Sequence, residues 1–295
     1  MARTGSGSRL AALSVAGVLA GTVLVGCGDG GSGSGKDATG KGASAGGSAG
    51  AREEGTRAVR SAYEKTAGED TARVTLKVRT SAEGASVTAD GKGTVDLEDG
   101  DSVMTLTAEG RRMEQRVVDQ VLYQKPPAGQ APGGKPWIKI DLEKVAARQG
   151  AAGQSMNDPA RSAALAKAVD DKDVTKKGSA DVGGVHTTRY RVTVDVAELP
   201  DGERLSKQIG PTLPMDLWLD DEGRIRRQQV DMTVEAGPAS QGGSRAGASS
   251  GPQRVTVRTV LEFTEFGVEV DADAPPARQV TDMTDEAVKQ GTRQS

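Results

Sequence analysis

Histidine and cysteine are nearly absent: His186 and Cys27 are the single representatives of each in 295 residues. One thiol cannot form a disulfide within its own chain, and a zinc set built from Cys and His cannot be completed. Nucleophilic catalysis of the Ser–His–acid kind would have to run through His186, which follows Gly183-Gly184 at a strand entry and reads as a solvent-facing turn residue. No serine has the context of a nucleophile elbow. Asp170-Asp171-Lys172-Asp173 and Asp220-Asp221-Glu222 lack the loop spacing of a calcium-binding EF-hand and read as solvated turns. Excess basic charge is also missing, with 38 Lys+Arg against 41 Asp+Glu and a net charge of −3, which excludes the footprint of a nucleic-acid binder. Aromatic side chains amount to three Tyr, two Phe and two Trp; each usually buries about 150–250 Å², so a core here has to be assembled from Val, Ala, Leu and Met. The residues point to no enzyme, no metal and no cofactor.

What is present begins at the N-terminus. Arg3 and Arg9 precede the uncharged stretch LAALSVAGVLAGTVLV, residues 10–25. This is the layout of an export signal, and the stretch is shorter than the roughly 20 apolar residues a spanning helix needs. It ends in Leu24-Val25-Gly26-Cys27, which resembles the bacterial lipobox. The resemblance implies cleavage before Cys27 and a diacylglyceryl group, palmitate-like in its chains, on the Cys27 sulfur. Each buried methylene contributes about 0.8 kcal/mol, so two or three chains make a durable anchor. The expected organisation is a signal peptide over 1–26 and a lipidated Cys27 with a Gly/Ser linker over 27–52. A folded domain follows over 53–283, with a flexible hairpin insertion at 236–252, and then a polar tail over 284–295. The expected location is the outer face of the cytoplasmic membrane; without Arg3 and Arg9 the net charge moves from −3 to −5.

Within the body, EEGTRAVRSAYEKTAGED predicts an opening helix with Val59, Ala62, Tyr63 and Thr66 on one face. The period then becomes two. Ala72, Val74, Leu76 and Val78 alternate with Arg73, Thr75, Lys77 and Arg79. Gly91 and Gly93 interrupt the next strand and suggest a bend or a close backbone approach. DLEDGDSVMTLTAEGRRMEQRVVDQVLYQK reads as three short strands joined by turns, and WIKI resumes a strand after a Pro/Gly loop. Asp141 predicts an N-cap for LEKVAARQ, NDPARSAALAKAVDD a helix with an Ala-rich face, and VAELPDGERLSKQIG a short helix or turn. HTTRYRVTVDV is the cleanest strand. PMDLWLDDEGRIRRQQVDMTVE is a hairpin whose second arm carries Ile225 at odd parity but Val230, Met232 and Val234 at even parity. Such a switch requires an extra residue, so a β-bulge is predicted near Arg226-Arg227-Gln228.

The succession gives an α+β fold: a curved, unclosed antiparallel β-barrel of about 10–11 strands with short helices across its concave face. Two interiors are compatible with so few aromatics. The small helix faces leave an apolar void, or the layers approach closely and fill it. The segments VLYQKPP and GKPWIKIDL, VGGVHTTRYRVTVDV, and PMDLWLDDEGRIRRQQVDM, in that order behind the lipobox, resemble the LppX/LprAFG group of actinobacterial lipoproteins, of LolA/LolB-like architecture. The likeness spans roughly Arg57 to Asp282. It implies an internal apolar pocket that holds lipid acyl chains for carriage or sensing at the envelope. The candidate ligand-contacting residues are Leu76, Val78, Met104, Leu106, Tyr123, Val192, Val194, Met215, Leu217, Leu219, Val230, Met232, Leu261 and Phe263. Arg224, Arg226 and Arg227 either meet lipid phosphates or solubilise the outer sheet face, and Trp137 and Trp218 either flank a pocket mouth or pack on the sheet. The alternative function is a structural or protein-interaction module with a filled barrel.

Overall fold

The computed structural model describes residues 45–82, 85–149, 169, 173–199, 202–236 and 253–292. Helix α1 (Ala45–Ala67) leads into β1 (Thr71–Ala82), β2 (Ala85–Asp96), β3 (Ser102–Ala108), β4 (Arg111–Val118), β5 (Val121–Lys125) and β6 (Trp137–Asp141). Helix α2 (Leu142–Gln149) follows, then β7 (Val174–Val182), β8 (Val185–Asp195), α3 (Gly202–Ile209), β9 (Thr212–Leu219), β10 (Ile225–Ala236), β11 (Gln253–Phe266), β12 (Val280–Asp282) and α4 (Thr284–Thr292). The strands make one 12-stranded sheet in the order β12-β6-β5-β4-β3-β2-β1-β11-β10-β9-β8-β7. Neighbours run antiparallel except β12, which lies parallel to β6. The sheet does not close on itself. Its architecture is the curved, unclosed α+β barrel expected from the strand pattern.

Alternation sets the two faces. On the inner face, register rows run across the sheet: Leu217–Gln228–Leu261–Leu76–Gly91–Leu106–Met113 and Met215–Val230–Thr259–Val78–Ala89–Ala108. A third runs Phe263–Val74–Gly93–Met104–Gln115–Gln124–Ile138. The expected bulge is present: Ile225 pairs with Leu219 and Arg227 with Trp218, leaving Arg226 as the extra residue. The extra residue lets Ile225 and Val230 both face inward despite opposite parity. At Gly93 the neighbouring backbone approaches closely; a Cβ there would collide with the Val103 carbonyl oxygen and lie 2.8 Å from the Met104 Cα. Gly223 closes the β9–β10 turn with φ of 82°, a conformation open to glycine without strain.

Four features differ from the sequence expectation. Helix α1 starts at Ala45, inside the stretch read as linker. Residues 284–292 form α4 instead of a tail: the Thr284 N–H donates to Asp282 Oδ1 at 3.0 Å, Thr284 is buried, and Asp285 and Glu286 lie in the first turn. Strands β7 and β12 add the elements the pattern missed. β7 is exposed along nearly its whole length, so it lacks apolar alternation, and β12 has only three residues. Asp220 is not a solvated turn residue: it is 8% exposed, its carboxylate taken up by the hairpin's own donors. The lipobox with Cys27, the Ala-faced helix expected over 157–171 apart from Val169, and residues 237–252 of the expected insertion lie outside the described residues.

Candidate ligand-binding face

Helix α1 lies on the inner face and divides it. Val59, Ala62 and Tyr63 pack with Val74, Val192, Val194, Met215, Leu217, Leu219, Ile225 and Phe263 in one core cluster. The helix is pinned by polar contacts as well. The Ile225 N–H donates to Thr66 Oγ1 at 2.8 Å, and Lys65 Nζ donates to the Glu222 carbonyl at 2.7 Å. Tyr63 is buried; its hydroxyl donates to Met215 Sδ at 3.6 Å, and burial pushes the phenol above its ordinary range. Of the sequence-derived candidates, Val192, Val194, Met215, Leu217, Leu219 and Phe263 belong to this packed half, where native side chains occupy the space.

Beyond α1 the same wall continues. Met104, Val230 and Leu261, half-buried, pack against the rim of the α1 cluster; Leu76, Val78 and Met232, also half-buried, lie outside it, and Leu106 is buried at 6% exposure. Tyr123 does not join them. It pairs with Arg116 and Lys139, in the register row of the outer face, while its neighbour Leu122 pairs with inward Val117. The three inner rows carry no ionisable side chain between β9 and β3, and Arg111 enters only where the Val78 row reaches β4. Their polar members are Gln228, Thr259, Gln115 and Gln124. Gln115 lies directly opposite Met104 on one side and Gln124 on the other, and its Oε1 is buried without a hydrogen-bond partner. The sequence reading passed over both glutamines; the alternation Met113, Gln115, Val117 was the signal that placed Gln115 inward.

The outer face carries the charge. Asp216, 2% exposed, accepts from Arg189 Nη2 at 2.9 Å and from Arg191 Nε at 2.9 Å. Burial pushes this carboxyl up, but the Arg191 and Arg189 hydrogen bonds outweigh it and hold it below the usual carboxylate range. Trp218 lies between the guanidinium groups of Arg189 and Arg227, 5.0 and 5.2 Å from its ring centroid. Trp137 similarly lies under Arg116 and Lys125. Both tryptophans thus pack on the outer sheet face, and neither sits on the inner wall. Asp220 accepts from Arg224 Nε and Arg226 Nε, both at 2.9 Å, and Arg224 also pairs with Glu69. Arg227 pairs with Glu262. These arginines are committed to intramolecular acids and rings. His186 is exposed, 3.5 Å from Asp181 across the β7–β8 hairpin. A cleft of about 370 Å³ lined by Glu53, Thr56, Arg57, Arg60, Ser61 and Glu64 runs along α1; its lining is polar and entirely helical. Among the described residues no group of three His, Cys, Asp or Glu is arranged to hold a metal, and no helix is long and apolar enough to cross a membrane.

No family model matches the sequence. A Streptomyces griseus protein, described as an uncharacterized 31.2 kDa protein in the rplA–rplJ intergenic region, is 28% identical over 176 residues. The match covers 54% of this chain and 52% of that protein, so the chain spans about half the length of the curated relative it matches. Among solved structures, the Mycobacterium tuberculosis lipoprotein LppX superposes with a TM-score of 0.44 at 15% identity, covering 74% of this chain and 99% of LppX. LprF from Mycobacterium bovis gives 0.42 at 16% identity, with 76% and 98% covered. The chain is similar to both in fold.

Proposed function

We propose that the protein is an exported, lipid-anchored envelope protein that binds the acyl chains of a lipid on its inner sheet face, for carriage or sensing and not for catalysis. The observation that supports this reading is the continuation of the apolar wall past α1: Leu76, Val78 and Met232 are half-buried and stand outside the core cluster that α1 seals, with Met104, Val230 and Leu261 half-buried at that cluster's rim. An acyl chain laid on that wall gains about 0.8 kcal/mol per methylene, so ten methylenes contribute roughly 8 kcal/mol before ordering costs. The anchoring half of the proposal rests on Leu24-Val25-Gly26-Cys27.

A second reading, a filled module that serves as a protein-interaction or structural element, is favoured by the solid packing of Val192, Val194, Met215 and Leu217 against α1. Native mass spectrometry of the full-length chain taken from its own host membranes separates the two. The carrier reading expects two lipid populations: a covalent one that survives denaturation and is lost in Cys27→Ser, and a non-covalent one released by denaturation. A chain that carries only the covalent mass, and takes up no added lipid, is the filled module.

A further inference from the structure

We propose that the lipid held on this face is neutral and bears a free hydroxyl, and that Gln115 is the residue that receives it; this rests on the lipid-binding reading above. Gln115 projects from β4 onto the inner wall between Met104 and Gln124. Its Oε1 is buried and has no hydrogen-bond partner. A desolvated acceptor left unpaired costs free energy that a donor on an occupant restores. The complementary group is therefore a hydrogen-bond donor. A carboxylate or a phosphate diester offers only acceptors, and the cation on the same face of β4, Arg111, stands four residues along the strand from Gln115, at the β4 end of the Val78 row, so it does not pair a charge at Gln115 directly. A hydroxyl meets the requirement and is the neutral donor that lipids commonly carry. Met104 and Met113, unbranched and adaptable, flank the position and can yield to an entering group. The acyl chain then extends from Gln115 along Leu76, Leu261 and Val230, while Gln124, directly opposite Gln115, supplies a second amide to the same polar end.

The test uses the full chain carrying Cys27→Ser, which removes the acyl anchor, and three probes with the same oleoyl chain: 1-monooleoylglycerol, methyl oleate and oleate at pH 8. Monooleoylglycerol is expected to bind about five- to tenfold more tightly than either of the others. Gln115→Leu should erase that preference by weakening monooleoylglycerol alone, with methyl oleate affinity held within about twofold as the folding control. Gln115→Met, of similar shape, repeats the measurement if the leucine variant does not fold. Equal affinity of the wild type for monooleoylglycerol and methyl oleate, or a preference that survives both substitutions, overturns the role of the hydroxyl while leaving lipid binding intact. Failure of all three probes to bind overturns the lipid-binding reading and this inference with it.

Discussion

Asp216 shows how a residue on the solvent side of a strand becomes structural. Alternation assigns it outward, and outward it points, yet it is 2% exposed because Arg189 and Arg191 fold over it from β8. Removing one partner of such a cluster leaves the other charges uncompensated, although Arg189 and Arg191 stay in reach of water; Asp216→Ala is expected to cost about 2 kcal/mol in urea unfolding. The pH dependence has a definite sign. Asp216 and Asp220 are held below the ordinary aspartate value of 3.8, and Asp282, pushed up by burial but held by Thr284 and Lys139, lies at about 2. A carboxyl depressed in the folded state adds stability that is complete above its unfolded pKa and is lost as pH falls through the folded one. The contribution of these three groups should therefore be held at neutral pH and be lost as pH falls below the ordinary aspartate value of 3.8, the share of Asp282 going as pH passes about 2, with a shallower acid slope in Asp216→Asn. Tyr63 tests the opposite situation. Its hydroxyl is buried on a weak sulfur acceptor, so Tyr63→Phe is expected to change stability by less than about 1 kcal/mol, whereas Met215→Ala should cost about 2–5 kcal/mol. None of these partnerships was legible in the sequence. Alternation gives a side chain's face, but it does not say that Arg189 and Arg227 will close over Trp218 on the face it labels as solvent.

Elements were legible where the pattern had a mechanism. The parity change between Ile225 and Val230 requires an extra residue, and Arg226 is that residue. Asp141 caps α2 through its Oδ1, which accepts from the Lys144 N–H at 2.9 Å. The glycines in β2 forecast a close approach, and Gly93 meets the Val103 carbonyl. Elements stayed hidden where the pattern was empty or the partner distant: β7 has no apolar face, and β12 finds β6 from the far end of the chain. Tyr123 was assigned to the wrong face because β5 runs Val121, Leu122, Tyr123 without a polar residue to mark the parity. The bulge gives a sharp experiment on register. Arg226→Ala keeps the extra residue and loses an arginine partner of Asp220 together with the guanidinium over the Phe266 ring, a cost of about 2–3 kcal/mol with the unfolding transition still cooperative. Deleting Arg226 forces either Ile225 or the Val230–Val234 series onto the outer face; loss of the cooperative transition and of native amide dispersion in NMR is the expected result. Gly93→Ala should be as damaging as a core truncation, about 3 kcal/mol or more, since the obstructing atoms are backbone and cannot turn aside.

At the scale of the molecule, the sheet joins two unlike halves at the β1–β11 pairing. One half, β7 to β11, is stoppered by α1 over Met215, Leu217 and Ile225, with Val230, Met232 and Leu261 left half-buried, and is braced outside by arginine–aspartate clusters; the other, β2 to β6, carries the inner wall onward through Gly91, Ala89 and Ala108. Small residues there thin the wall opposite Leu76 and Val78. This division tells which substitutions report on a ligand and which only on folding. Charge introduced at Leu217 or Val194, both 0% exposed within the core, would unfold the protein and say nothing about binding. Bulk introduced at Ala89 acts differently. Ala89 is half-buried, opposite Val78 on one side and Ala108 on the other, so a phenylalanine there projects over the wall and occupies the path of an acyl chain without entering the α1 core. Ala89→Phe is expected to lower uptake of a fluorescent fatty acyl probe by at least about tenfold while the melting temperature shifts by only a few degrees. Uptake unchanged in that variant would mean that the chain does not lie on the β1–β3 wall. Uptake lost together with a collapsed melting transition would mean that the wall is already filled to core density, as the second reading requires.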